Sequence, residues 1–308
     1  MHDFGPLFQG DEKANAAIEA LLDALRRRHG ASLRSLIFYG SCLRNGNLED
    51  GLVDLYAIVD NYRHAHGSSI SALTNHLLAP NVYYVEAESG GRKIRCKYAV
   101  FSERELGKGV SARRTESYLW GRLCQPVAIA WAADNAALST ARAALRQASI
   151  TFLDEALPLA ADKGYVREIW ATGLGLSYAT ELRSESPDRA IGIADQSALQ
   201  LIEATASVAP SCRWPLHVGG EFYTCVIPED ERRRAARKWA RRRVQGKVLS
   251  VLRLLKALFT FDGGLDYIAW KLERHTGRPV EIPPHVRRFP LLFVWGFMWK
   301  LYRQGYFR

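Results

Sequence analysis

The sequence predicts a mixed α/β fold in which one sheet-forming section precedes two helical ones. Three observations lead there. Short apolar runs recur through the first 135 residues with helical patterns between them, whereas from Ala136 onward the periodicity is almost entirely helical. The charge is also divided. The 308-residue chain carries a formal +10, but residues 232–308 hold 19 Lys/Arg against 4 Asp/Glu, so the first 231 residues sum to −5.

Taken in order, Ala14 to Arg28 sets Ile18, Leu21, Leu22 and Leu25 at helical spacing and leads into an apolar strand over 35–39. Gly40-Ser41 opens a turn or short helix. A strand over 52–59, a helix from Ser69 to Leu78, and strands over 82–85 and 94–101 around Gly90-Gly91 follow. A helix is expected over Arg114 to Leu123, ending before Pro126, with a last strand over 127–131. Helices over 141–156, 166–182 and 190–206, broken by Pro187, Pro210 and Pro215, form the second section. The third begins with an Arg-rich helix over 229–243 that continues through 248–261. It closes on Arg287-Arg288 and an aromatic run containing Phe293, Trp295, Trp299 and Lys300. The expected sections are residues 1–135, 136–228 and 229–308.

At 48% apolar and 24% charged, the composition is that of a chain able to bury a substantial core. Five scattered cysteines form no C-x-x-C pair, so neither a disulfide framework nor a structural zinc site is expected, and a reducing cytoplasm is. His64 and His66 lack accompanying ligands and read as structural. The acidic N-terminus resembles neither a secretory signal nor an Arg-rich transit peptide, and no window reaches the roughly 20 apolar residues that span a bilayer. The concentrated basic charge calls for a polyanionic surface, and the aromatic C-terminal run suits an anionic membrane better than nucleic acid.

The chemistry centres on Tyr39-Gly40-Ser41 and Asp54. Glycine at a strand end permits close backbone approach, and Ser41 can present its N–H and hydroxyl to phosphate oxygens. An ionised carboxylate inside an apolar strand needs a cation, which makes Asp54 a metal-ligand candidate for Mg²⁺. Gly-Ser followed by a strand carboxylate is the pattern of polymerase-β-like nucleotidyltransferases. Their second carboxylate is missing, because Tyr56 stands two residues on. Glu49, Asp50, Glu86 and Glu88 are the other acids near enough in sequence to supply oxygens.

Four blocks across residues 36–183 together resemble the mitochondrial translocator assembly and maintenance family of peripheral CDP-diacylglycerol synthases. They are Tyr39-Gly40-Ser41 with the single Asp54; Lys97-Tyr98-Ala99-Val100, with Ala99 where the family has Gly; Trp120-Gly121-Arg122-Leu123 with Pro126-Val127; and Ser177-Tyr178 with Glu181 and Arg183, where Thr180-Glu181 replaces Gly-Asp. The resemblance implies a nucleotidyltransferase domain, a helical winged-helix-like domain and a C-terminal amphipathic membrane-associating segment. It also implies a Mg²⁺-dependent phosphatidate cytidylyltransferase acting on CTP and phosphatidic acid, peripheral on the inner face of the cell membrane.

On that reading Asp54 and Lys97 are catalytic. Tyr39, Gly40, Ser41, Arg122, Ser177, Tyr178, Glu181 and Arg183 bind nucleotide or phosphate. Arg287, Arg288, Phe293, Trp295, Trp299 and Lys300 touch the membrane. A nucleotidyltransferase acting on RNA or a small molecule, and a non-catalytic membrane adaptor, are the alternatives.

Overall fold

The computed structural model describes residues 2–181, 187–260, 264–288 and 290–303. Helix α1 (Glu12–His29) is capped by Asp11, whose side chain accepts the Ala14 N–H. It leads into β1 (Leu33–Tyr39), α2 (Ser41–Asn45) and β2 (Val53–Val59). Short α3 (Tyr62–Ala65) and α4 (Ser69–Leu77) come next. The hairpin β3 (Asn81–Ser89) and β4 (Arg92–Ser102) then turns at Gly90-Gly91, as the sequence predicts. With β5 (Ala128–Ala132) these strands form a sheet of order β3-β4-β2-β1-β5, in which β2 and β4 run parallel and the other pairs antiparallel. The fold is therefore mixed α/β.

The sheet is buried on both sides, which is why β2 reads as a continuous apolar run rather than an alternation. Val53, Leu55, Ala57 and Val59 pack with α1 through Leu21, Leu22 and Leu25. Tyr56 and Ile58 belong to the opposite core, where α7 (Asn135–Ala156) covers β1 and β5. Asp54 shares this second face, at its outer end.

Two sequence expectations change here. Residues 114–119 are turns rather than helix, and only α6 (Trp120–Leu123) is helical, while α5 (Glu103–Gly109) precedes them. Long-range pairing holds this stretch: buried Glu116 bonds Arg114 and, from far along the chain, Arg253. The signal for α5 was present in Ser102-x-x-Glu105, whose serine hydroxyl accepts the Glu105 N–H. Likewise the expected helix over 190–206 is two, α9 (Pro187–Gln196) and α10 (Ala198–Val208), separated at Ser197.

The second section also contains strands too short for periodicity to reveal. These are β6 (Lys163–Tyr165), before α8 (Val166–Tyr178), and β7 (His217–Gly219) and β8 (Phe222–Thr224), after α10; β8 lies between the other two. Its helices share one apolar cluster with the sheet, reaching from Ile37 through Trp120 and Trp170 to Trp239.

Helix α11 (Glu229–Thr260) then runs back along the molecule. Fully buried Arg242 bonds Glu155 and the Thr115 carbonyl, while Arg253 and Lys256 donate to carbonyls of residues 78–80. Helices α12 (Gly264–Thr276), α13 (Pro284–Arg288) and α14 (Pro290–Arg303) close a small cluster of Ala269, Leu272, Val280, Val286, Phe297 and Leu301. Leu292, Trp295 and Trp299 of α14 lie on the surface. Among the described residues, no helix is long and apolar enough to cross a membrane.

Candidate active site

Strand register builds the site. Tyr39 lies opposite Asp54, Asp54 opposite Lys97, and Lys97 opposite Tyr84, so one row across four strands carries all four side chains on the face away from α1. Lys97 Nζ stands 3.0 Å from Asp54 Oδ1, yet that buried oxygen accepts no aligned hydrogen bond, so the contact is ionic. Burial opposes the Lys97 charge, but the Asp54 carboxylate outweighs it and the ammonium pKa is raised.

Tyr56 takes up the space where a second carboxylate would stand. It is fully buried, with its ring stacked on Tyr39 at 4.3 Å. Glu49 is engaged by Arg92, and Glu86 by Lys93 and the Tyr84 hydroxyl; neither they nor Asp50 and Glu88 line the cavity beside Asp54. Among the described residues, no group of three or more His, Cys, Asp or Glu is placed to hold a metal. Asp54 is thus the carboxylate available to one.

Gly40 is fixed by its backbone and by its neighbour. Its φ of +92° and ψ of −166° belong to a region almost reserved for glycine, and a Cβ there would sit 3.0 Å from Asp54 Oδ2. The turn and the carboxylate are one packed unit.

The cavity over this unit has a volume of 170 Å³ and is lined by Tyr39, Gly40, Ser41, Arg44, Asp54, Lys97, Arg122, Gln125, Pro126, Tyr178, Glu181 and Arg189. The sequence-predicted Tyr39, Gly40, Ser41, Asp54, Lys97, Arg122, Tyr178 and Glu181 therefore meet in one place. Arg122 and Glu181 face each other bidentately at 2.6 and 2.7 Å, and Tyr178 donates its hydroxyl to Gln125 Oε1. Burial opposes the Arg122 charge, yet surrounding phenol oxygens and Glu181 hold its pKa well above the ordinary value. Because Glu181 already neutralises it, Arg122 locks α6 to the end of α8 more than it offers free charge.

Ser177 does not line the cavity. It is buried against Gly121, where a Cβ would lie 2.1 Å from its hydroxyl, so it makes the close α6–α8 contact rather than touching phosphate. Arg183 lies outside the described residues. All six expected membrane contacts, Arg287, Arg288, Phe293, Trp295, Trp299 and Lys300, are exposed, with Arg287 also paired bidentately with Asp266 and Phe293 edge-on to His285.

Sequence reasoning missed Arg44, Gln125 and Arg189. Arg44 follows Ser41 by one helical turn, a spacing that could have flagged it. It has no acidic partner among the described residues, and burial and then the nearby Arg189 charge push its pKa down. The cavity thus carries four cations against two carboxylates. It shares Arg44, Gln125 and Pro126 with a larger cleft of 1090 Å³, bounded by the N-terminal segment, α7 and α10. No protein-family model matches the chain, and a search of curated proteins finds no match.

Proposed function

We propose that this protein is a phosphatidate cytidylyltransferase, joining CTP and phosphatidic acid into CDP-diacylglycerol with release of pyrophosphate. The observation that carries this reading is the cavity's surplus of four cations over two carboxylates, with partly buried Arg44 beside the Gly40-Ser41 turn. Such a surplus suits a polyphosphate.

Asp54, whose buried Oδ1 is paired with the Lys97 ammonium at 3.0 Å, is the carboxylate that would hold Mg²⁺. The single protein carboxylate suits an ion shared with substrate phosphates rather than a resident one. When bound, Mg²⁺ supplies charge neutralisation of the triphosphate. The chain's own residues do the positioning. Gly40 and Ser41 hold the terminal phosphates, Arg44 and Arg189 take the charge of departing pyrophosphate, and Lys97 reaches the transferred phosphoryl group from the row it shares with Asp54. An oxygen of the phosphatidate phosphomonoester attacks the α-phosphorus as the bond to pyrophosphate breaks, so no covalent enzyme intermediate forms. The 1090 Å³ cleft gives the nucleoside room beyond Gln125.

Two wider features support this reading. The succession α7, β6, α8, α10, β7, β8, with β8 central and α9 inserted, is compatible with a winged helix. Exposed Trp295 and Trp299, near Arg288 and Lys300 in sequence, suit peripheral attachment to an anionic leaflet.

The test is incubation with Mg²⁺, labelled CTP and phosphatidate vesicles. A lipid-soluble cytidine product is expected, and Asp54→Asn should abolish it. Undiminished product from that variant would overturn the site, and no product from wild-type protein would overturn the activity.

A further inference from the structure

Beside the Lys97–Asp54 pair, away from the Gly40-Ser41 turn, lies a second cationic group that the scheme above does not use. Helix α12 packs on β3 and presents Tyr267, Trp270 and Arg274, at i, i+3 and i+7, along one side. Tyr267 lies 5.8 Å from Tyr84, ring to ring, and Tyr84 is the β3 neighbour of Lys97. Trp270 has the Arg95 guanidinium 5.6 Å from its ring centre and the Arg274 guanidinium at the same distance.

We propose that Arg95 and Arg274, braced on Trp270, form the subsite for the phosphomonoester of the acceptor, a dianionic headgroup presented to the reacting α-phosphorus from the side opposite the leaving pyrophosphate. The proposal rests on the cytidylyltransferase reading and extends it to the second substrate.

Arg95 Nε is buried and has no hydrogen-bond partner; the nearest Glu86 oxygen is 3.7 Å away. That contact is an ion pair without a hydrogen bond, and Glu86 is shared with Lys93 at 3.0 Å and with the Tyr84 hydroxyl at 2.7 Å. A buried guanidinium N–H without an acceptor is costly, and a ligand oxygen would satisfy it.

Arg95 precedes Lys97 by two on β4 and so shares its face. β2 begins at Val53, opposite Cys96, so Arg95 stands just past the strand end, next to Asp54's row and open on that side. Arg274 is exposed, on the helix that packs on β3. An in-line displacement needs nucleophile and leaving group on opposite sides of phosphorus. Arg44 and Arg189 line the cavity at the Gly40-Ser41 turn that follows β1, whereas Arg95 lies on β4, across β2 from that turn.

Lys93, Arg95, Lys97 and Arg274 face Glu86 and Asp54, which leaves a surplus of two, matched to a phosphomonoester dianion. With two guanidiniums over its ring, Trp270 fixes planar cations in place rather than offering a bare face for a base to stack on.

The experiment compares wild type with Arg274→Gln and Arg95→Gln, using soluble dihexanoyl phosphatidate. KM is measured separately for phosphatidate and for CTP, and binding of dihexanoyl phosphatidate, dihexanoyl phosphatidylcholine and glycerol 3-phosphate by calorimetry. Losing a charge-assisted hydrogen bond should raise KM for phosphatidate roughly ten- to hundredfold, with KM for CTP and Tm unchanged. Arg274→Lys should recover part of the loss. Arg274 is exposed, so its variant stays informative if Arg95→Gln fails to fold. Unchanged KM for phosphatidate in an active enzyme would overturn the subsite and leave the activity standing. If wild type forms no product, binding decides alone: phosphatidate binding lost in Arg274→Gln sustains the subsite, and binding indifferent to the substitution refutes it. Competition by glycerol 3-phosphate would assign the site to phosphomonoesters generally, and its absence to the lipid.

Discussion

Replacing Gly40 by alanine perturbs backbone and carboxylate together, and the structure supplies a control that separates them. Gly30, at the end of α1, has φ +58° and ψ −143°, the same glycine-dominated region, with nothing within 4 Å of an added Cβ. Gly40 has φ +92° and ψ −166°, with Asp54 Oδ2 3.0 Å and Asp54 Cβ 3.3 Å from that position. Both substitutions should lower stability by about 1–3 kcal/mol through backbone strain. At Gly40 alone, Asp54 must also give way by a few tenths of an ångström. A misplacement of 1 Å can lower a rate about 100-fold, so Gly40→Ala should cost about 10-fold or more in cytidylyl transfer while Gly30→Ala stays near wild type. Urea unfolding and initial rates on the same preparations provide both readouts. Equal activity of the two variants would refute the claim that Gly40 exists to let Asp54 approach the turn.

Two further outcomes follow from other parts of the molecule. Burial raises the Asp154 pKa to about 6 despite the N–H it accepts from Arg213, so this carboxyl is held protonated longer in the folded than in the unfolded chain. Stability should therefore fall as pH rises from about 4 to about 6 and then level off; Asp154→Asn should flatten that slope and gain on the order of 1 kcal/mol at pH 7.5. A slope unchanged in the variant would rule this out. On α14, Leu292→Ser with Trp295→Ser should weaken sedimentation with phosphatidate-containing vesicles about 10-fold or more at unchanged Tm, because both side chains are exposed. Phe297→Ala, in the buried cluster with Leu272 and Val286, should instead lower the Tm. Undiminished sedimentation of the double variant would remove this helix from membrane contact.

The central elements were legible in the sequence because their physics is local. An apolar run marks a strand buried on both faces, Gly90-Gly91 closes a hairpin, and an Asp inside such a run must meet a cation. Lys97 is that cation. It could be expected on the site-facing side together with Arg95, since alternate residues of a strand share a face. The shorter elements escaped detection: β6, β7 and β8 have three residues each, below any period. Residues 114–119 are ordered by Arg253, which lies 137 positions from Glu116.

What tertiary structure alone decided is which charges are available. Arg122, expected near phosphate, is paired with Glu181 across 59 residues; Ser177, expected to touch phosphate, is buried against Gly121; and Arg44 lacks an acid among the described residues. The sequence by itself determined the lone strand carboxylate, the glycine turn and the basic C-terminal quarter. Whether a cation is already paired depends on neighbours far along the chain, so only the folded molecule separates Arg44 from the many arginines with carboxylates at hand, and shows that Arg95, ion-paired with Glu86 at 3.7 Å, keeps a buried Nε without a hydrogen bond.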